Sequence, residues 1–373
     1  MAKLKSSSDT PCSESHVAAL AALRQKIDQV DQKLVKLMNQ RAELAQQVGA
    51  VKDAENQAVY SPAREEEVFA RVAEMNSGPM AASALRAVFR ELISGSRAVE
   101  KALRIAFLGP AYSYSHLAAL ERFGQSVEMV PVDSIPAVFE EVHHAHSDFG
   151  VVPLENSTDG RIADTLDMFA RSPERICGEV QLRIHHNLLS KVSRAEVKRV
   201  YSRPQALSQC RNWLGKHLPG VETVEVASTS TAARLAAGES SAAAIASQQA
   251  GHHYGLKVLA SNIEDNQANV TRFAVIGEGA ARRSGHDKTA LMLELAHRPG
   301  GLADALNIFK RNNLNLTWIE SFPIPQRRGN YLFFIEIKGH VDEEPVQSAI
   351  ASLAKKTHHL ELLGSYPESH PID

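Results

Sequence analysis

Apolar residues recur at three- and four-residue steps from His16 to Lys52: Leu20, Leu23, Ile27, Val30, Leu34, Leu37, Leu44, Val48 and Val51. No Pro and a single Gly, Gly49, interrupt this run, so the spacing predicts one long amphipathic helix. Ser61-Pro62 predicts the start of a second helix, with Glu65, Glu66 and Glu67 near its positive end. Asn76-Ser77-Gly78-Pro79 breaks the chain, and a third helix is expected from about Met80 to Lys101. Three helices, one of them this long, cannot easily close a core within one chain. Interlocking with a second copy would bury the exposed faces, so a homodimer is expected.

The pattern changes at Leu103. Buried-type strands are predicted from Leu103 to Leu108, Val127 to Val132, Phe149 to Leu154, Val197 to Tyr201, Val221 to Val226, Ala242 to Ala246 and Val258 to Ser261. Helical stretches alternate with them: Ile135 to His146, Arg161 to Ala170, Ala206 to His217 and Thr231 to Gly238. A last strand is expected over Asn269 to Gly277. Such alternation predicts largely parallel, doubly wound sheets, long enough here for two subdomains. Ligands in such folds bind in the crevice beyond the carboxyl ends of the strands. From Thr289 onward the order strand, helix, strand, strand, helix, strand predicts a ferredoxin-like α+β unit. The boundaries follow: a polar tail over 1–15, a helical domain over 16–101, an α/β domain over 103–280, a linker over 281–287, a small domain over 288–367 and a tail over 368–373.

Composition narrows the function. A chain of 373 residues has room for several cores, and a net charge of −2 implies no nucleic-acid partner. No apolar run is long enough to span a bilayer, and Met1 to Ser15 lacks the apolar segment of a signal peptide, so no membrane partner is expected. Cys12, Cys177 and Cys210 are odd in number and widely spaced, which fits a reducing cytoplasm. There is no GxGxxG, no Walker lysine and no metal-ligand spacing, so neither a cofactor nor a metal is expected. His185-His186 near a strand end reads as a surface or core pair, not as ligands.

Polar residues gather at the predicted strand ends: Gly109 to His116, Pro153 to Gly160, Ser202 to Gln205 and Ser228 to Thr231. Small hydroxyl residues there serve as helix N-caps and also suit carboxylate binding. In the helical segment, Arg41 and Lys52 lie eleven residues apart. They share a helix face about 16 Å apart along the axis. Arg24 and Arg41 would stand about 25 Å apart, too far to grip one small molecule from one straight helix. If both serve one site, Arg24 comes from a second subunit.

The stretches Ala22 to Asp28, Asn39 to Ala45, Val48 to Lys52 and Arg64-Glu65 resemble the all-helical chorismate mutases. That family rearranges chorismate to prephenate without proton transfer, by folding the substrate and stabilising charge on the breaking ether oxygen. The resemblance implies that Arg24, Arg41 and Arg64 hold carboxylates, Lys52 donates to the ether oxygen, Glu65 accepts from the ring hydroxyl and Ser96 contacts substrate. Glu100 falls where many members have Gln. A carboxylate helps there only when protonated, so mutase activity is expected to strengthen toward acid pH. Ser61 stands where some members have Asp, a tolerable change.

The α/β segment resembles prephenate dehydratase, a periplasmic-binding-protein-like fold of two subdomains. The likeness rests on Gly109-Pro110 with Ser113 to His116, Pro153 to Ser157 with Gly160, Pro204 to Leu207, Ser230 to Ala233 and Thr271-Arg272-Phe273. The reaction removes the ring hydroxyl and carbon dioxide from prephenate, giving phenylpyruvate. The resemblance assigns Thr271 as proton relay or hydrogen-bond donor, Arg272 as a stabilising group among the substrate-binding residues, and Asn156, Ser157, Gln205 and Thr231 as cleft lining. Tyr112 replaces a Gly of the first loop, and Arg203 a His; a positive φ at Tyr112 would cost energy. The last segment resembles an ACT domain. There Gly300, Gly301, Leu302, Asn315, Glu320 and Ser321 would bind phenylalanine as effector, with Gly301 replacing Ala and Phe322 replacing Arg.

Together these resemblances imply a cytoplasmic, homodimeric enzyme of phenylalanine biosynthesis joining mutase, dehydratase and regulatory domains, with chorismate and prephenate as substrates. Arogenate as substrate of the middle domain, or a middle domain that only binds a carboxylate, stay open.

Overall fold

Helix-forming residues without a breaker make α1 (Cys12–Ala54) a single helix of 43 residues. It is followed by α2 (Pro62–Met75) and α3 (Ala82–Glu100). A computed structural model describes residues 12–54, 60–158, 160–279, 281–295, 297–323 and 331–372. The expected polar tail lies outside the described residues as far as residue 11, and α1 already begins at Cys12. Asp159 of the Pro153–Gly160 loop also lies outside them, as does Ile324, the last residue of the strand that the sequence predicts from Leu314. The chain divides into two units, residues 1–59 with 95–101 and residues 60–94 with 102–373. No described helix is long and apolar enough to cross a membrane.

In the first unit the last turn of α3 lies along α1. A methyl group at Gly49 would meet the Glu100 carboxyl carbon at 2.5 Å, so Glu100 rests on bare glycine backbone. The apolar positions of α1, Leu20, Ile27, Leu34 and Leu44 among them, are exposed in the single chain.

The second unit holds two α/β lobes and a small α+β domain. The first lobe contains β1 (Arg104–Leu108), α4 (Tyr114–Phe123), β2 (Glu128–Val132), α5 (Ile135–His143), β3 (Phe149–Asn156), β4 (Gly160–Arg161), α6 (Ala163–Phe169) and β5 (Arg175–Arg183). The chain then crosses to the second lobe: β6 (Asn187–Ser190), β7 (Arg199–Ser202), α7 (Pro204–Gln209), α8 (Arg211–His217), β8 (Glu222–Glu225), α9 (Thr229–Gly238), β9 (Ala242–Ala246), α10 (Gln248–His253) and β10 (Lys257–Ala260). It returns as β11 (Val270–Gly277), which enters the first sheet in the order β2-β1-β3-β11-β5. The second sheet runs β10-β6-β9-β7-β8.

Both sheets are mixed rather than largely parallel. β1 pairs parallel with β2 and β3, but β11 is antiparallel to β3 and β5. The reason is connectivity: β11 comes back from the other lobe instead of through a helical crossover. β5 and β6, not among the expected strands, are both present.

The last domain follows the expected order: β12 (Asp287–Leu295), α11 (Gly301–Arg311), β13 (Leu316–Pro323), β14 (Tyr331–Lys338), α12 (Glu344–Ala354) and β15 (Thr357–Pro367). One face of its sheet packs on its helices through Leu291, Leu293, Ile308, Phe309 and Ile335. The other face, with Met292, Phe334 and Tyr366, shares a core with Val152, Leu154, Ile176 and Ile276 of the first lobe. The chain end runs beside β5, where Arg183 N donates to Ile372 O at 2.8 Å and Ile372 N to Gln181 O at 3.0 Å.

Candidate active sites

In the first unit Arg41 Nη1 donates to Ser96 Oγ at 2.7 Å, joining α1 to the end of α3. Lys52 is half-buried about three turns beyond Arg41, past the Gly49–Glu100 contact. Arg41, Ser96, Lys52 and Glu100 thus follow one helix seam. Arg24 is exposed far up α1. Arg64 and Glu65 lie on α2, in the second unit. Arg64 pairs with Glu67 at 2.8 Å on an exposed face. Glu65 is buried, 3.7 Å from Arg122 of α4, a guanidinium that Glu66 also takes at 3.0 Å. Burial works against the Glu66 charge, but Arg122 and Arg86 outweigh it and hold that carboxyl below its ordinary range.

In the second unit β3 and β11 place Asn156 opposite Thr271 as cross-strand partners. Thr271 is buried, and its Oγ1 accepts from Asn156 Nδ2 at 2.7 Å. Asn156 Nδ2 also donates to Asn269 Oδ1 at 2.9 Å. Asn269 Nδ2 continues to Gln209 Oε1 at 3.1 Å, and that oxygen lies 2.9 Å from His186 Nε2. Ser157 Oγ bridges the same strand ends, donating to Ala268 O at 3.2 Å and accepting from Val270 N at 2.9 Å. Gln205 is exposed at the start of α7 and lies outside this network; Gln209, one turn later on the same face, lies within it.

Asn269, Gln209 and His186 were not among the residues expected at the site. For Asn269 the signal was present: it precedes Thr271 by two residues in an extended stretch, so both side chains share a face. His186 comes from the crossing between the lobes, where the order of elements gives no local clue.

Two loops face each other across the lobes. Ser113 caps α4, and its Oγ donates to Leu108 O at 2.9 Å. Ser228 caps α9, donating to Thr231 Oγ1 at 2.8 Å while accepting from Thr231 N at 3.0 Å. Ser230 Oγ reaches across to Ala111 O at 2.6 Å. Between them Tyr112 takes φ of 64°, the left-handed conformation that a Gly would accept without strain. Its N–H donates to His116 Nδ1 at 2.9 Å, and burial lowers the pKa of that imidazole, which keeps it an acceptor. The Tyr112 ring stacks on His253 with centroids 4.0 Å apart.

Arg272, expected beside the substrate, points to the opposite strand face from Thr271. Three carboxylates engage its guanidinium: Glu155 at 3.0 Å, Glu179 at 3.0 Å and Glu336 of β14 at 2.7 Å. Lys288 of β12 takes Glu179 at 3.1 Å, and Tyr366 donates to Glu336 at 2.7 Å. Burial pushes Glu179 up, but Arg272 and Lys288 prevail and hold its carboxyl below the ordinary range. Arg272 therefore joins the first sheet to the last domain through its charge.

In that last domain Gly300 has φ of 80° at the N-cap of α11, which Gly301 and Leu302 begin. Asn315 is exposed just before β13. Glu320 Oε2 and Ser321 O both accept from Arg161 Nη1, at 3.0 and 2.8 Å. Phe322, in the place of an expected Arg, packs half-buried against the core shared with the first lobe. Among the described residues no group of three or more His, Cys, Asp or Glu is placed to hold a metal ion.

Comparison with known proteins matches this layout segment by segment. Residues 23–101 match the model for chorismate mutase type II, 105–281 that for prephenate dehydratase and 289–355 that for the ACT domain. A bifunctional chorismate mutase/prephenate dehydratase of Aquifex aeolicus is 41% identical over 355 residues, covering 94% of this chain and 98% of its own length. One from Stutzerimonas stutzeri is 40% identical over 364 residues, covering 95% and 99%. The crystal structure of prephenate dehydratase from Arthrobacter aurescens, in complex with L-Phe, superposes with a TM-score of 0.67 at 31% identity, over 71% of this chain and 90% of that one. With near end-to-end likeness and all three segments in order, the chain belongs to the bifunctional chorismate mutase/prephenate dehydratase family that carries a C-terminal ACT domain.

Proposed function

We propose that Thr271 is the proton-donating group of the dehydratase, and that Arg41, Lys52, Ser96 and Glu100 form the core of the mutase site. The chain is an enzyme of phenylalanine biosynthesis, rearranging chorismate to prephenate and converting prephenate to phenylpyruvate. One observation carries the reading of Thr271: its oxygen accepts from Asn156 at 2.7 Å, which leaves the hydroxyl hydrogen to be given away. A hydroxyl so held at the end of a buried strand can donate to the ring oxygen as it leaves as water, while the carboxylate departs as carbon dioxide and leaves its bonding pair to the ring; the Thr271 oxygen then regains a proton from solvent. Asn156, Ser157 and Thr231 line the cleft around the dianionic substrate, with Gln209 behind them. In the mutase, Arg41 and Lys52 face charges that the substrate carries or develops, as a rearrangement without proton transfer requires.

Arg24, exposed in the single chain, serves the site of a second copy, and the exposed apolar face of α1 supports a homodimer. The effector is phenylalanine, held by the turn at Gly300 to Leu302 with Asn315, Glu320 and Ser321; the Arthrobacter aurescens relative was solved with L-Phe. The free, buried thiols Cys177 and Cys210 support a reducing, cytoplasmic setting.

The test supplies chorismate and prephenate separately to the full chain and to Thr271→Ala. Phenylpyruvate formation is lost in the variant while chorismate consumption continues. Equal loss of both turnovers would sink the assignment of Thr271. Titrating phenylalanine against dehydratase rate tests the effector, and no inhibition or binding at millimolar concentrations rejects it.

A further inference from the structure

Thr271 can give its proton to a substrate only if its oxygen is not obliged to donate elsewhere, and its neighbours decide that. The Thr158 N–H is a backbone donor whose sense cannot be reversed, and it points at Asn156 Oδ1 at 2.9 Å. The Asn156 nitrogen must then face the other way, toward Asn269 Oδ1 at 2.9 Å and Thr271 Oγ1 at 2.7 Å, which uses both of its hydrogens. Asn269, only 2% exposed, turns its oxygen to Asn156 and also accepts from Thr158 Oγ1 at 3.3 Å. Its nitrogen therefore faces Gln209 Oε1, at 3.1 Å. The same Gln209 oxygen lies 2.9 Å from Nε2 of His186, which is 3% exposed. Facing an acceptor, Nε2 carries the proton. On the other side of that ring Tyr114 OH lies 3.4 Å from Nδ1, and the His186 backbone N–H donates to Glu264 at 2.9 Å, so the imidazole is fixed in place.

We propose that Asn269 and His186 are positioning residues of the dehydratase: they lock the Asn156 amide with its N–H toward Thr271, so that the Thr271 hydroxyl hydrogen is kept for the departing oxygen of the substrate. The proposal rests on the reading of Thr271 as proton donor. Every link has one sense only, starting from a backbone N–H at one end and closing on a buried imidazole at the other. Neither residue is needed to hold the substrate's charge, so losing them affects the chemical step more than binding. A misdirected reacting group costs on the order of 100-fold in rate.

The experiment measures kcat and KM for prephenate in the full chain and in Thr271→Ala, Asn269→Ala, His186→Leu and His186→Gln. Thermal midpoints and mutase turnover of the same preparations report folding. For Asn269→Ala, kcat falls about 100-fold with KM within about threefold. His186→Leu loses about tenfold in kcat, while His186→Gln, which keeps an N–H for Gln209, stays within about threefold of the parent chain. The proposal is overturned if Asn269→Ala keeps its kcat, if its loss appears in KM alone, or if His186→Leu and His186→Gln behave alike. Should Asn269→Ala fail to fold, the two His186 variants decide. If Thr271→Ala keeps dehydratase turnover, the underlying reading of Thr271 fails; if it is inactive while Asn269→Ala is fully active, only the positioning proposal fails.

Discussion

Replacing Tyr112 by alanine and, separately, by glycine sets backbone strain against ring stacking in the loop after β1. An L-residue at φ of 64° sits in the left-handed region, at a cost of about 1–2 kcal/mol. The ring offsets this by stacking on His253 at 4.0 Å and meeting His116 edge-on at 5.3 Å. Such aromatic contacts are worth about 0.5–1.5 kcal/mol each beyond the area they bury. Alanine loses both contacts and keeps the strain. Glycine loses the same contacts and relieves the strain, but its freer unfolded chain takes back about 0.5–1 kcal/mol. The glycine variant should therefore be the more stable by about 0.5–1 kcal/mol, the reverse of the order at an ordinary position. In a thermal scan that difference separates the two midpoints by roughly 1–4 °C. Both variants should melt below the parent chain. An alanine variant that melts at or above the glycine variant would show that strain at Tyr112 is not the deciding quantity.

The remaining predictions concern the buried charges and the mutase seam. Glu336→Gln removes one of the carboxylates around Arg272 and should destabilise by roughly 2–4 kcal/mol, below the cost of breaking a lone buried pair because Glu155 and Glu179 remain. Glu67→Gln, at the exposed pair with Arg64, should change stability by less than about 1 kcal/mol, and a urea titration giving equal losses would refute the distinction. The Glu179 carboxyl is held below its ordinary range, so it contributes stability above its unfolded pKa of about 4.3 that is lost as pH falls through the folded value. Glu179→Gln should thus flatten the fall in stability below about pH 4.5, and an unchanged slope would exclude this carboxyl as its source. Glu100 rests on Gly49 in line with Lys52, and a carboxyl there can donate to the ether oxygen only when protonated. Mutase turnover should rise toward acid pH and lose that dependence in Glu100→Gln; a pH-independent parent rate would remove Glu100 from the site.

Elements whose physics is local could be read directly from the chain. The three- and four-residue recurrence of apolar positions marks α1, and the order of patterns marks the ferredoxin-like unit. β5 is not legible as a strand because Gly178, Glu179 and Gln181 break its apolar run. Glu179 is nonetheless buried, since Arg272 and Lys288 come to it from elements about a hundred residues away. Ala206 to His217 reads as one helix, yet the structure turns at Cys210 into α7 and α8. In the candidate site, the sequence singles out Thr271 and Asn156 because each stands in a recognisable motif, and the structure brings the two side chains together. It does not single out Gln209 and His186, because their roles arise where two lobes meet. Arg272 was legible as important but not in its direction, which strand alternation sets only once the last domain is seen to supply Glu336.

The place of β11 in its sheet has a consequence for how the molecule is made. During synthesis β3 and β5 emerge first, and no strand yet lies between them. The whole second lobe must follow before residues 270–277 can join them. Until then two strand edges rich in apolar side chains stand open, the kind of surface that pairs with other chains. The strand that closes this gap also carries Thr271. A chain cut short before it would lack both the seam of the first sheet and the hydroxyl proposed as proton donor, so on that proposal completion of the sheet and arrival of the chemistry are a single event.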